Sequence, residues 1–450
     1  MTRTEIRELL QELELQPSRK LGQNFLCDPN AAGWIARQIE PEPDDVVIEP
    51  GAGLGSVSSH LIGRVRKLVL LEKDHRLAEW LRTRAEGRTD VEVIEGDACE
   101  YDFRPLFAEG PVKIVGNLPY SAGTAILTHF LAHPTPVVRA VFMLQKEMSK
   151  RLSAVPRTKA YGSLTLRIQQ RWKVEFLRTF GPDLFLPVPE VDSSVIGITP
   201  RLSEQLPVFD RGLYSQLVKQ GFSQRRKQLR KLLPKAEFDW EELLTGLGHT
   251  AAARAEELSM EDWVALARAF AGHADAPDEG QKSSELFDVV DENDEVTKQA
   301  TRGEVHAEGL RHRAVHILLF NKGGEIFLQR RSHLKDTHPL KWDSSAAGHV
   351  DSGETYEDCA PRELAEELGI KEAALTRVAG LKACSETDEE FIAIFEAQDW
   401  KGKVRTDPRE IDTGGWFSLE TVSRWIVNRP EDFATGFRTV WKEWLASQSE

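Results

Sequence analysis

Fourteen consecutive residues, Ala271 to Ser284 (AGHADAPDEGQKSS), hold Gly, Pro, Ser and acids and scarcely any large apolar side chain. No hydrophobic core can run through such a stretch, so the 450-residue chain is expected to fold as separate bodies on either side of this linker. Length agrees, because single cores stop growing well below this size. The charge divides at the same place. Residues 1–270 carry 36 Lys and Arg against 36 Asp and Glu, whereas 271–450 carry 22 against 36, so the whole net charge of −14 lies in the C-terminal part. Overall acidity therefore excludes no polyanionic partner for the N-terminal part. Within that part, residues 146–235 hold 18 basic and 7 acidic side chains, a footprint suited to phosphate.

Four cysteines, Cys27, Cys99, Cys359 and Cys384, form no close pair. That pattern indicates neither a disulfide framework nor a zinc site and fits a reducing, cytoplasmic setting. The first twenty residues lack an apolar signal region, and no later run approaches the ~20 apolar residues of a membrane span. A soluble protein with no membrane partner is expected.

From Asp45 to about Leu144, apolar runs (Val46–Ile48, Leu68–Leu71, Val91–Ile94, Val112–Val115, Ala140–Leu144) alternate with amphipathic stretches. This is the rhythm of a doubly wound, Rossmann-like α/β sheet. Beyond Pro207 the period becomes helical, through Leu213 and Leu217, Trp240 to Leu247 and Met260 to Phe270, and predicts a small helical lobe. The expected parts are residues 1–204, a helical lobe at 205–270, the linker at 271–284 and a second α/β module at 285–450. That module has strands on both sides of one central helix, Thr355 to Leu368, and ends in a Trp-rich helix.

Glu49-Pro50-Gly51-Ala52-Gly53-Leu54-Gly55 directly follows the first of the apolar runs. Glycines there let the backbone turn tightly and approach a ligand. Glu72 ends the next strand, at about the offset where an acid accepts from ribose hydroxyls. Asp97 ends the third and is placed to meet an adenine amino group. No Lys-Ser/Thr pair follows the glycines, which disfavours a nucleoside triphosphate. An adenosine cofactor without a pyrophosphate remains, and S-adenosylmethionine fits.

Asn117-Leu118-Pro119-Tyr120 follows the fourth strand, at the carboxyl edge of the sheet. An aromatic amine is a poor nucleophile because its lone pair is delocalised into the ring. The Asn117 oxygen and a nearby backbone carbonyl can accept from the amine hydrogens and aim the lone pair at a methyl donor, while Tyr120 stacks on the base. The bland alternative is a simple turn.

With these stretches in hand, residues 1–270 resemble the bacterial small-subunit ribosomal RNA adenine dimethyltransferases. Gly22 to Leu26, Glu49 to Gly55, Gly96-Asp97, Asn117 to Tyr120, Phe185 to Ser194 and Phe222 to Lys227 carry the match. The resemblance implies that Asn24, Leu26, Gly51, Glu72, Asp97 and Asn117 hold S-adenosylmethionine, and the glycine turn adds Gly53 to the cofactor-binding residues. It also implies that Asn117, Pro119 and Tyr120 handle the target adenine, with the Phe185 ring helping to sandwich it. Two adjacent adenines near the 3′ end of 16S rRNA, in the small ribosomal subunit, are the implied target. Glu190, where Lys is expected, and Pro50, where Ile is more usual, depart from the pattern but remove no group the chemistry needs. Arg225, Arg226, Lys227 and Arg230, read as a helix, would contact RNA phosphates without reading sequence.

In the C-terminal part, Gly348, Glu354, Arg362, Glu363, Glu366, Glu367 and Gly369 fit the Nudix pattern G-x5-E-x7-R-E-U-x-E-E-x-G-U at every fixed position. Glu363, Glu366 and Glu367 fall on one helix face. Crowded carboxylates call for a divalent cation, and all-oxygen ligation suits Mg2+ or Mn2+. Arg362 is positioned to orient one glutamate. The resemblance to the Nudix superfamily spans about Glu285 to Leu445 and implies an α/β/α sandwich and metal-assisted attack on a diphosphate. His312, Gly348-His349 and Glu390 are similar to the branch containing isopentenyl diphosphate isomerase. Ala347 stands where the isomerase has cysteine, so a diphosphate hydrolase is expected; His312 and His349 are either further metal or substrate contacts or structural.

Three rival readings stand beside this one. They are a large-subunit rRNA adenine methyltransferase of the macrolide-resistance type, a ribosome-assembly binding factor, and a Nudix fold kept for recognition. A monomer is expected.

Overall fold

Near-continuous apolar runs need cover on both faces, which a parallel sheet flanked by helices supplies. In a computed structural model of the chain, which describes residues 1–18, 21–272, 278 and 283–448, the five runs do become neighbouring strands. Two compact units result, Met1–Leu206 with Arg211–Ala274, and Asp275–Glu450 with Pro207–Asp210. Of the expected linker, residues 273–277 and 279–282 lie outside the described residues.

The strands of the first unit are β1 (Phe25–Leu26), β2 (Val46–Pro50), β3 (Lys67–Glu72), β4 (Val91–Glu95), β5 (Val112–Asn117), β6 (Val137–Gln145), β7 (Trp172–Phe180), β8 (Phe185–Leu186) and β9 (Ser193–Pro200). Seven form one sheet in the order β4-β3-β2-β5-β6-β9-β7, parallel from β4 to β6 and antiparallel at β9 and β7. Strand order reverses between β2 and β5. At such a switch point the loops diverge and open a crevice at the carboxyl ends of the strands. Alternate residues feed two cores. Val46, Ile48, Val69 and Ile114 face one, and Val47, Leu68, Leu70 and Val115 the other. This is a Rossmann-like methyltransferase fold.

Outside the sheet, β1 pairs with β8 through Phe25↔Leu186 and Leu26↔Phe185. That short ladder joins segments 160 residues apart and is invisible to local periodicity. Three helices make the lobe, Arg211–Gly221, Trp240–Gly246 and Met260–Phe270. Of the basic cluster expected on one helix, Arg225, Arg226 and Lys227 lie in turns and Arg230 in the short 3-10 helix Leu229–Lys231. The helix ends at Gly221, whose added Cβ would meet Trp263 at 2.5 Å, and Phe222 to Gln228 run on as turns.

The second unit opens with a hairpin, β10 (Leu286–Val290) and β11 (Val296–Thr301). Its mixed sheet comprises β12 (His312–Asn321), β13 (Ile326–Arg331), β14 (Trp342–Asp343), β15 (Ala346–His349), β16 (Thr376–Leu381), β17 (Glu390–Trp400) and β18 (Ile411–Phe417). Helix Tyr356–Leu368 covers one face through Cys359, Ala360, Leu364 and Leu368, packed on Val315, Ile317 and Leu319. On the opposite face Phe320 stacks on Trp444 of the helix Thr435–Ser447 at 5.0 Å. This is the Nudix α/β/α sandwich. No helix among the described residues is long and apolar enough to cross a membrane.

Candidate functional site

The crevice of the first unit is lined by the glycine turn, by Asn24 to Leu26, by the ends of β3 and β4, and by Asn117 to Ala122. Gly51 and Gly53 take φ of +68° and +58°, values that a side chain strains to adopt. The tight turn lets the Gly53 N–H donate to Glu72 Oε2 at 2.7 Å. Glu72 Oε1 accepts from the Asp74 N–H at 2.9 Å. Burial nevertheless raises its pKa, against those backbone bonds. Each oxygen keeps a lone pair for a hydroxyl donor. Asp97 is more occupied than its expected role suggests. It accepts from Lys73 Nζ at 2.6 Å and from the Cys99 N–H at 2.9 Å, and Lys73 above all holds its pKa down.

Asn117 Nδ2 donates to the Asn24 carbonyl at 2.9 Å, which fixes the amide and leaves Oδ1 as its acceptor. That matches the need to receive an amine hydrogen. The Pro119 carbonyl accepts from Ala122 and Gly123, so the second acceptor for the amine is not that of Pro119. Tyr120 bonds through its hydroxyl to Ser193 Oγ on β9 at 2.5 Å, and its ring lines the crevice. Leu26 lines it as well, with its carbonyl tied to Ser56 Oγ.

Phe185 departs from expectation. Its ring is fully buried in a core cluster with Leu26, Phe180 and Val195 and does not line the crevice. Pairing of β8 with β1 draws it inward, because an apolar ring on a two-stranded ladder packs toward the core. The aromatic rings that line the crevice are Phe25 and Tyr120. Arg225, itself exposed, has structural partners as well. Its guanidinium bonds Glu256 and the carbonyls of Lys159 and Tyr161, so it holds the lobe to the sheet domain. Arg226, Lys227 and Arg230 are exposed. Lys150, Arg151 and Lys159 line a separate basic cleft with Arg225.

In the second unit, helix Tyr356–Leu368 starts at the Thr355 cap and stops at Gly369, φ +67°. Glu363 lies directly over Gly348. A Cβ at that glycine would stand 2.0 Å from the Glu363 carboxyl carbon, which is why the motif needs glycine there. Arg362 does more than orient one acid. It bonds Glu354 twice, at 2.9 and 2.8 Å, Glu363 at 2.7 Å and Glu366 at 3.3 Å. Glu367 turns inward to Gln329 Nε2 at 2.9 Å and the Ala347 N–H at 3.1 Å, with Lys335 Nζ at 3.5 Å. Lys335 also pairs with Glu410. Burial raises the pKa of both Glu363 and Glu367; for Glu363 the neighbouring Glu367 adds to the effect. Carboxylate oxygens of Glu363 and Glu367, beside an exposed Glu366, are the donors a hard cation takes. Among the described residues, however, the three oxygens do not converge on one point.

Imidazoles converge instead. One ring nitrogen each of His306, His312 and His349 lies within 4.8 Å of the others. His306 Nε2 and His312 Nε2 are buried and have no hydrogen-bond partner in the structure. His312 pairs in register with Glu390 across β12 and β17. His312 Nδ1 donates to the Leu310 carbonyl at 2.9 Å, and its Nε2 lies 3.5 Å from Glu390 Oε1. His349 Nε2 bonds the same oxygen at 3.0 Å, and Arg302 reaches its Nδ1 at 3.0 Å. Burial pushes the His349 pKa to about 3, and despite burial the two imidazoles hold Glu390 well below the usual carboxylate range. Sequence reading found His312, His349 and Glu390 but missed His306, Arg302 and Lys335. No fixed spacing links these to the helix motif, and only the fold brings them near it.

A doubly wound sheet with strand-end acids around a glycine turn, and an aromatic tetrapeptide at the same crevice, defines an S-adenosylmethionine-dependent methyltransferase. The family model for ribosomal RNA adenine dimethylase matches residues 15–271, more than half of the chain, and the chain belongs to that family. A NUDIX domain matches residues 310–436. The chain is 40% identical over 252 residues to the ribosomal RNA small subunit methyltransferase A of Chromobacterium violaceum, covering 56% of this chain and 94% of that protein. To the protein of the same name from Nitratidesulfovibrio vulgaris (strain ATCC 29579) it is 39% identical over 256 residues, covering 56% and 96%. The solved structure of DR0079 from Deinococcus radiodurans aligns at 31% identity and a TM-score of 0.30, covering 32% of this chain and 90% of that one. The enzyme thus joins an rRNA adenine methyltransferase to a Nudix hydrolase domain.

Proposed function

We propose that the first unit dimethylates N6 of two adjacent adenines near the 3′ end of 16S rRNA in the small ribosomal subunit. The observation that carries this reading is the crevice itself, where Asn117 and Tyr120 meet the glycine turn, Glu72 and Asp97. S-adenosylmethionine, when bound, supplies an electrophilic methyl group. Asn24, Leu26, Gly51, Gly53, Glu72, Asp97 and Asn117 are the residues to hold it. Asn117 Oδ1 accepts an amine hydrogen and orients the nitrogen, and Tyr120 carries the base. Such positioning, and not a strong base, is what an aromatic amine requires. Exposed Arg226, Lys227 and Arg230 contact phosphates. The chain acts as a monomer in this reading, with residues 1–204, 205–270 and 285–450 as its working parts. Methyl transfer to undermethylated small and large subunits tests the target, and transfer to the large subunit alone overturns it.

The second unit hydrolyses a diphosphate-containing small molecule with Mg2+ or Mn2+ at Glu363, Glu366 and Glu367. Ion-dependent release of phosphate or a monophosphate by the full chain, across a broad diphosphate panel, tests this. A chain inert across that panel would support recognition without turnover. The unpartnered imidazole nitrogens favour a second placement, with an ion held by His306, His312, His349 and Glu390. Metal content of H306A/H312A against wild type separates the two placements.

A further inference from the structure

Ser193 stands behind the crevice and has no part in the mechanism above. It opens β9, where its backbone pairs with Gln145 of β6 on one side and Phe180 of β7 on the other. A fully buried residue held from both sides cannot drift. The segment before it is tied too, because the Asp192 carbonyl accepts from the Lys146 N–H at 3.0 Å and its carboxylate from Lys146 Nζ at 2.7 Å. Side chains alternate along a strand. Ser194 accordingly meets Thr179 Oγ1 at 3.1 Å, whereas the Ser193 hydroxyl lies 2.5 Å from that of Tyr120. Tyr120 itself sits in the loop after β5 and is only partly buried. Burial raises its pKa above the ordinary value of 10, with the bond to Ser193 opposing, so the phenol keeps its proton at neutral pH and is no base. What its oxygen does is bind Ser193.

We propose that Ser193 is a positioning residue for methyl transfer, whose hydroxyl holds the Tyr120 ring in the plane on which the target base stacks. The proposal rests on the reading that Tyr120 carries the base. A side chain on a loop turns about two bonds, and a stacked base turns with it. The amine at the rim of that base must nevertheless meet the methyl group in line, where a misplacement of about 1 Å costs on the order of 10^2-fold. Tethered at its hydroxyl, the ring is fixed at both ends, by the backbone at one and by the sheet at the other. Asn117 is fixed in the same manner, its amide held by the Asn24 carbonyl at 2.9 Å. The base thereby meets two references, an acceptor and a ring face, each anchored to a segment far away in the chain.

Methyl transfer by the full chain to undermethylated small subunits tests this, with Ser193→Ala, Tyr120→Phe, the double variant and Tyr120→Ala. S193A and Y120F remove one hydrogen bond from its two ends. Each is expected to lower kcat by roughly 10-fold, while the KM values for subunit and S-adenosylmethionine stay near wild type. The double variant is expected to fall no further than either, where independent effects would multiply to roughly 100-fold. Y120A, which removes the ring as well, is expected to fall below all of these. A loss caused only by a weakened fold would not show this kcat-only, non-multiplying pattern. Should S193A not fold, Ser193→Cys keeps the shape with a weaker partner and is expected to show a kcat-only loss that vanishes in the Y120F background. Wild-type kcat in Y120F, losses that multiply in the double variant, or a change confined to KM overturn the proposal. Wild-type kcat in Y120A overturns instead the reading that Tyr120 carries the base.

Discussion

The two units both gather acids around a site and satisfy them in different proportions: backbone N–H groups meet Glu72 in the first, where Lys73 pairs with Asp97, and side-chain cations meet most of the acids in the second. In the first, Glu49, Glu72 and Asp97 come from the ends of three different strands, and Glu72 is satisfied by backbone N–H groups of the turns it adjoins. In the second, Glu363, Glu366 and Glu367 come from one helix and are met by the chain's own cations, Arg362 and Lys335. Strand ends present backbone donors at a sheet edge, whereas a helix interior spends its donors on itself and must borrow charge from elsewhere. A site of the first kind offers acceptor oxygens to hydroxyl and amine donors. One of the second kind handles a cation and a polyanion.

The largest effect that would break this contrast comes from the tetrapeptide. Asn117→Ala is expected to lower kcat for methyl transfer by roughly 10^3-fold, the scale of losing a positioned polar group, while cofactor affinity changes far less. A parallel loss of affinity would assign Asn117 to cofactor binding alone. In the second unit, Glu366→Gln and Glu367→Gln are each expected to remove ion-dependent hydrolysis by ~10^2-fold or more, but to differ in stability. Glu366 is exposed and its loss is near neutral. Glu367→Gln weakens the buried contact with Lys335 and is expected to cost ~1–3 kcal/mol in denaturant unfolding. Equal stability of the two variants would remove the distinction drawn here between the exposed acid and the buried one.

Gly348→Ala sharpens the same point, because the new Cβ must displace the Glu363 carboxyl from a place it holds at van der Waals exclusion. The carboxyl is the far end of a side chain, so a stability loss of only ~1–2 kcal/mol is expected beside a near-complete loss of turnover. Smallest are the surface cations. Arg226→Ala, Lys227→Ala and Arg230→Ala should each weaken binding to the small subunit modestly and lower the salt slope by about 1. Arg225→Ala is expected instead to lower the melting temperature, since its guanidinium is spent on Glu256 and two carbonyls.

Legibility differed between the units for a physical reason. The Nudix acids were readable because a helix fixes i, i+3 and i+4 on one face whatever surrounds it, and the five β-runs were readable because burial on both faces forces continuous apolarity. Phe185 was misread because the residue type that can stack on a base is also the type that fills a core, and only the β1–β8 pairing decides between them. Arg225 has a further part that the sequence does not show, since a basic side chain in a basic run is equally able to tie loops together. The three-histidine cluster was half seen, as His306 reaches it from a helix with no fixed spacing to the other two.

By itself the sequence determined that this chain carries two chemistries, a glycine turn with strand-end acids for an adenosine cofactor and a helical row of glutamates for a diphosphate, since each depends on local geometry that residue type and spacing fix. Tertiary structure alone decided which groups are already spoken for, namely Asp97 by Lys73, Glu367 by Lys335, Phe185 by the core and Arg225 by the lobe. Hydrogen-bond partners and burial arise between segments far apart in the chain, and no local pattern records them.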